Sequence, residues 1–227
     1  FSYGIINMVK TDFEKYALSQ GISSMSLDSF TRANYVNPMI LEERQMNVTS
    51  IDIYSRMLMD RILFLNTSIE PTMVNILTAQ LLWLDQQSDK PINMYINSPG
   101  GSVIDGLQLI DTMNFINAPI STTCLGMAAS MGAVILSCGE KGKRFALPHS
   151  RVMIHQASGG FNGKSEDVKT SYEQLLRCQK DIYEILSQNI GVDYEEIERL
   201  CSNTDKWFIG REAIDLGIVD KIVGEKD

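Results

Sequence analysis

Ser130 stands in Gly126-Met127-Ala128-Ala129-Ser130-Met131-Gly132, a run of otherwise small or apolar residues between the strand-like "ISTTCL" and the apolar "AVILSC". A serine there can cap the first amides of a helix. It can also be a nucleophile held on a tight strand-to-helix turn. The second role needs a base to take the hydroxyl proton and a third group to orient that base. The chain contains 2 histidines, which shortens the search. His155 closes the apolar stretch "RVMI" and so falls at a strand end, where α/β sheets gather reactive groups. His149 lies in the loop "LPHSR" before it. Either, taken alone, also suits a hydrogen-bonded structural histidine.

The acid is less determined. Glu140 is the sole carboxylate between Ser130 and His155. Beyond His155 the most suggestive is Asp205, in "NTDKWF", a turn entering an apolar strand where an anion could be partly buried. A plain turn-forming aspartate fits that position equally. A carbonyl under attack also needs donors for its oxygen. The "SPGGS" loop at 98–102 follows the preceding strand, and its adjacent glycines let backbone amides approach a ligand closely. The amide of the residue after the serine is the natural second donor. A hairpin is disfavoured by the helical run that follows, and no G-x-x-x-x-G-K-[ST] pattern supports a phosphate loop. The G-x-S-x-G elbow fails, because Ala128 replaces its first glycine and its acid-before-histidine order leaves only Glu140. For a serine–lysine pair, Lys141 and Lys143 are close in sequence, but both sit in the polar turn "GEKGKR".

These residues need a frame to hold them. Apolar spacing predicts a short helix over 51–60, a strand at 61–65, and a helix over 70–87 with Pro71 in its first turn. A strand at 92–96, a helix over 103–117, a strand at 120–125 and a helix from Ser130 repeat the order. A further strand covers 150–156. Such alternation predicts an α/β fold with a mostly parallel sheet built of βαβ units. After the glycine-rich "ASGGFNGKSED" at 157–167, Val168, Tyr172, Leu175, Leu176, Ile182, Ile185 and Leu186 mark one side of a long helix capped by Ser165. The chain ends in helix "YEEIERLC", strand "KWFI", helix "REAIDLG" and strand "IVDKIV". Residues 1–46 show little periodicity and read as an extension, and 51–227 as one domain without repeats or linker.

Composition bounds the function. The chain has 227 residues, 44% apolar and 21% charged, enough to bury a large core. A formal charge of −8 argues against nucleic acid or an anionic membrane as the main partner. No apolar run reaches the roughly 18 residues of a membrane span. The start carries no basic leader, so a cytoplasmic protein is expected. Cys124, Cys138, Cys178 and Cys201 show no C-x-x-C spacing and read as reduced thiols, not as zinc ligands or disulfides.

"YINSPGGSV", "GMAASMGA", "GKRFALPHSRVMIHQ" and "REAIDLGIVDKIV" closely resemble the ClpP family of caseinolytic serine peptidases, with a likeness over about residues 36–223. The resemblance implies a catalytic triad of Ser130, His155 and Asp205, with the backbone amides of Gly101 and Met131 as oxyanion hole. It implies a ClpP/crotonase-like ββα superhelix over 36–227 with a protruding strand–helix handle at about 157–190, preceded by an extension at 1–35 open to removal as a propeptide. It implies a homo-oligomer of two stacked heptameric rings that hydrolyses unfolded polypeptides. An AAA+ unfoldase spends ATP on its behalf and docks in an apolar pocket including Tyr95 and Phe115. No metal or cofactor of its own is expected, nor a nucleic-acid or membrane partner. Asn93 stands where the family commonly has a second aromatic. A crotonase-like acyl-CoA enzyme, with a glutamate as acid–base, and a catalytically silent scaffold subunit are the competing readings.

Overall fold

In the computed structural model, residues 39–44, 47–202 and 204–224 are described. The expected extension at 1–35 lies outside them. The chain divides into two units, one ending at Arg56 and the other running from Met57 to Asp227. In the first, strands β1 (Met39–Arg44) and β2 (Asn47–Asp52) pair antiparallel from Met39↔Asp52 to Arg44↔Asn47. Apolar periodicity is weak up to residue 46 and predicts a helix from 51, whereas residues 51 and 52 belong to β2 and the helix starts at Ile53. A hairpin's backbone bonds need no apolar periodicity, and that is why it was missed. Helix α1 (Ile53–Met59) follows, with Asp52 accepting from the Ser55 amide and hydroxyl.

The second unit is α/β. Strand β3 (Ile62–Leu65), helix α2 (Pro71–Gln87), strand β4 (Ile92–Ser98), helix α3 (Val103–Phe115) and strand β5 (Ile120–Ala129) succeed one another as expected. Helix α2 buries Val74, Leu77, Leu81 and Leu84, one stripe of a 3.6-residue period. Full burial of each such side chain stabilises by roughly 1.5–3 kcal/mol. Helix α3 buries Leu109, Ile110 and Met113, whereas Phe115 at its end is 79% exposed.

Strand β5 is longer than the predicted 120–125 and changes partner along its length. On one side it pairs with β4 as far as Ala128, with a register shift between Ile96 and Ser98. On the other its first half pairs with β6 (Arg144–Ala146) and its last three residues with β7 (Arg151–Ile154) in the register Met127↔Arg151 to Ala129↔Met153. The change falls at Gly126. There the Asn97 side chain takes the room of a β-carbon and accepts the Met127 amide at 3.1 Å. After β7 come α5 (Ser165–Ile190), α6 (Tyr194–Cys201), β8 (Lys206–Ile209), α7 (Arg211–Leu216) and β9 (Lys221–Ile222). The sheet order is β3-β4-β5-β6-β9, all parallel, with β7 on β5 and β8 antiparallel to β7.

The start of α5 differs from the expectation. Ser165 is the first helical residue of α5 and not its cap. Lys164 occupies the cap without a side-chain bond, while Glu166 and Asp167 place negative charge in the first turn. Strand β6 has no apolar signal in the sequence, because it is three residues long and one of its two buried residues is an arginine. Arg144, 5% exposed, forks onto Asp220 through Nε at 3.0 Å and Nη2 at 2.6 Å, and its Nη1 donates to the Asn189 carbonyl at 2.9 Å. Asn189 in turn donates to Ser137 Oγ and Cys138 Sγ, both at 3.1 Å. This network ties the base of α5 to the sheet. With 26 residues α5 is about 39 Å long, and it buries only Ile182, Tyr183 and Leu186 near that base. Tyr172 and Leu176 farther out are exposed.

Burial works to raise the Asp220 pKa, but hydrogen bonds from Arg144 and from the Gly142 amide outweigh it and hold the carboxyl below its ordinary value. A depressed folded-state pKa contributes stability above the unfolded value of about 3.9, and that contribution is lost as pH falls through the folded value. Asp220→Asn is therefore expected to cost on the order of 3 kcal/mol near neutrality by stranding a buried guanidinium. The deficit should shrink below about pH 4. Denaturant unfolding of both proteins across pH measures it, and a pH-independent gap would rule out the ionic contribution.

Candidate active site

Ser130 leaves β5 and enters helix α4 (Met131–Ser137) with φ 54° and ψ −126°. A side chain in this region carries strain of about 1–3 kcal/mol, tolerated only where surroundings hold it. The same turn recurs before α7, with φ 53° and ψ −119°, but there a glycine, Gly210, makes it without strain. Around Ser130 the restraints are specific. Its amide donates to the Met153 carbonyl at 2.8 Å, and its own carbonyl accepts from Ala133 at 2.9 Å and Val134 at 3.3 Å. Gly100, at φ 91°, sits so close that a β-carbon on it would lie 2.7 Å from Ser130 Cβ and 2.7 Å from the Ala129 oxygen. A β-carbon on Gly132 would lie 3.1 Å from the Ser98 oxygen. These contacts explain why glycine stands at 100 and 132.

Although Ser130 occupies the cap position of α4, its hydroxyl caps nothing. It reaches His155 Nε2 at 2.9 Å instead. His155 follows the last residue of β7, and its Nδ1 lies 3.1 Å from Asp205 Oδ1. With Nδ1–H donating to the carboxylate, Nε2 is left as an acceptor for the hydroxyl proton. The His155 side chain is 26% exposed and that of Asp205 56%, so this hydrogen bond adds little stability and orients the ring. Asp205 is less covered than a turn entering an apolar strand suggested, because β8 is an edge strand with little burial. A bond from the Gln156 amide to the Cys201 carbonyl at 3.2 Å draws the end of α6 to the end of β7. The β7–β8 register, which pairs Ile154 with Lys206, then sets Asp205 beside a histidine 50 residues away in sequence.

The other sequence candidates separate. His149 is exposed in a turn, and Lys143 pairs with Glu140 at 2.6 Å, away from the cleft at Ser130. Gly101, at φ 152°, is held where the Ile69 amide bonds the Gly100 carbonyl and the Ser102 amide bonds the Ile69 carbonyl, each at 2.9 Å. Gly101 and Met131 line the same cleft as Ser130 and His155. As the first residue of a helix, Met131 has an amide with no intrahelical acceptor. The cleft's apolar wall, Val103, Val134, Ile154, Ile182 and Leu186, had no signal in the sequence beyond general apolar periodicity. Tyr95 stacks on Phe64 with ring centroids 5.7 Å apart. Phe115 lines an apolar groove of about 700 Å³ with Leu82, Ile104 and Leu107, which Tyr95 does not line.

The four cysteines are free, and burial lifts the thiols of Cys124, Cys138 and Cys201 to about 11, where they stay protonated and poor as nucleophiles. Among the described residues no group of three or more His, Cys, Asp or Glu is placed to hold a metal, and no helix is long and apolar enough to cross a membrane.

A hydroxyl and an imidazole at the carboxyl ends of the parallel strands β5 and β7, hydrogen-bonded in sequence to a carboxylate at the entry of the antiparallel β8, have the geometry of a serine hydrolase. The Clp protease family profile matches residues 43–226, and the chain belongs to that family, as a peptidase of serine type. It is 46% identical over 216 residues to the ATP-dependent Clp protease proteolytic subunit of Porphyromonas gingivalis, covering 93% of this chain and 97% of that one. The subunits of the same name from Bacteroides fragilis and Bacteroides thetaiotaomicron are each 46% identical over 219 residues, covering 95% of this chain and 99% of theirs.

Proposed function

We propose that this chain is the proteolytic subunit of an ATP-dependent protease and cuts polypeptides through an acyl-enzyme on Ser130. The observation that carries the reading is the hydrogen-bonded chain Ser130–His155–Asp205, at 2.9 and 3.1 Å. His155 Nε2 takes the hydroxyl proton as Oγ attacks the peptide carbonyl. The oxyanion then accepts from the Gly101 and Met131 amides. His155 returns the proton to the leaving amine, the C–N bond breaks, and Ser130 carries the acyl group until water, activated by the same imidazole, releases it. Asp205 keeps Nδ1 protonated and stabilises the imidazolium between these steps. None of them calls on a metal or organic cofactor. A fluorophosphonate tests the reading directly: one adduct per chain on Ser130, mapped by mass spectrometry, is expected. An unlabelled Ser130 would reject it.

The relatives are named as subunits of an ATP-dependent protease, which supports a partner ATPase that unfolds substrates and spends the ATP. Phe115, with the groove beside it, and Tyr95 are the docking residues in this reading. The chain works in the cytoplasm as two stacked heptameric rings joined through α5, whose outer half presents Tyr172 and Leu176 to solvent in a single chain. Leu176→Asp is then expected to yield single rings with less than a tenth of the peptidase activity. Sedimentation beside a small-peptide assay reads both effects. An intact double ring would exclude this face as the contact, and fully active single rings would uncouple assembly from catalysis.

A further inference from the structure

Gly106 lies inside α3, one turn past its start, where its amide makes an ordinary helical bond to the Ser102 carbonyl at 3.0 Å. Its φ is not among the positive ones, so nothing in the backbone asks for glycine. Alanine would favour the helix by about 1 kcal/mol. What excludes a side chain is Met131. A β-carbon on Gly106 would lie 2.3 Å from Met131 Cγ, 2.7 Å from Cε and 3.0 Å from Sδ. The Met131 side chain, 1% exposed, thus fills the room that Gly106 leaves open. Cγ is near the backbone, so rotating the far end of the methionine does not relieve the overlap.

Met131 follows a residue in a strained conformation. The turn at Ser130 is held on the Ser130 side by Gly100 and Met153, and on the far side by the packing of Met131, the first residue of α4, against Gly106 of α3. We propose that Gly106 is a positioning residue for catalysis. Its missing side chain seats Met131 and thereby sets the angle at which the Met131 amide faces the cleft. The proposal rests on the reading of Ser130 as nucleophile and of that amide as an oxyanion donor. Removing one such donor lowers kcat by about 10²–10³, and a misplacement of about 1 Å can cost 10²-fold. A partial displacement should therefore be visible in turnover long before it is visible in folding.

The test is a cycle of Gly106→Ala, Met131→Ala and the double variant in the full chain, measured by small-peptide hydrolysis, by fluorophosphonate labelling rate and by thermal melting. Gly106→Ala is expected to lower kcat about ten-fold or more, with KM within about two-fold and labelling slowed in parallel. In the Met131→Ala background, where the overlap is gone, the same substitution is expected to change either rate by less than about two-fold. Wild-type kcat in Gly106→Ala, or an undiminished penalty in the Met131→Ala background, would overturn the proposal. Should Gly106→Ala fail to fold, the double variant decides: labelling at the Met131→Ala rate supports the clash with Met131, and slower labelling refutes it. A wild-type chain that fluorophosphonate does not label fails the nucleophile reading itself. Labelling of wild type and Gly106→Ala at equal rates fails the positioning role alone.

Discussion

Replacing Ser130 with alanine is expected to lower peptide hydrolysis by several orders of magnitude while leaving the fold in place. The hydroxyl makes one hydrogen bond, to His155, and none that caps α4, so its removal strands no buried partner. The alanine inherits the backbone strain at φ 54°, which is borne by the Met153 carbonyl and the packing of Gly100. Stability should therefore change little. Activity should not survive, since loss of one member of such a triad leaves only binding and oxyanion stabilisation, a residue of about 10³–10⁴ over water. Hydrolysis of a small fluorogenic peptide beside a melting curve separates the two effects. More than a few per cent of wild-type turnover in a well-folded variant would exclude Ser130 as the nucleophile.

Asp205→Asn is expected to lower kcat severely, by up to about 10⁴-fold, with KM changed far less. An amide can hold the ring by donating to Nδ1, but that selects the wrong tautomer and leaves Nε2 protonated, unable to take the Ser130 proton. It also withdraws the charge that stabilises the imidazolium. Because the Asp205 side chain is 56% exposed, the substitution should barely move the unfolding midpoint, which sets it apart from a structural carboxylate such as Asp220. Asp193 and Glu195, near α6, serve as controls and should tolerate amides. If one of them proved essential and Asp205 dispensable, the assignment of the acid would move.

What the sequence determined by itself was the local order. Strand and helix periods depend on which faces are apolar, and these placed β3, α2, β4, α3, β7, α6, β8 and α7 close to where they fold. The rarity of histidine, with the small residues around Ser130, narrowed the base to two positions. Family motifs then joined Ser130, His155 and Asp205 where spacing alone left Asp205 level with an ordinary turn residue. The tertiary structure decided what depends on contacts between distant segments. The extension of β5 to Ala129 follows from its pairing with β7, whose residues lie 24 positions further along the chain. The burial of Arg144 follows from Asp220, 76 residues away. A charged residue reads as surface until its counter-ion is seen, and a candidate acid is told from a turn aspartate only when a fold sets it 3.1 Å from an imidazole. The glycine at 106 is of the same kind. Its backbone does not require it, and its reason, the side chain of Met131, comes from another helix.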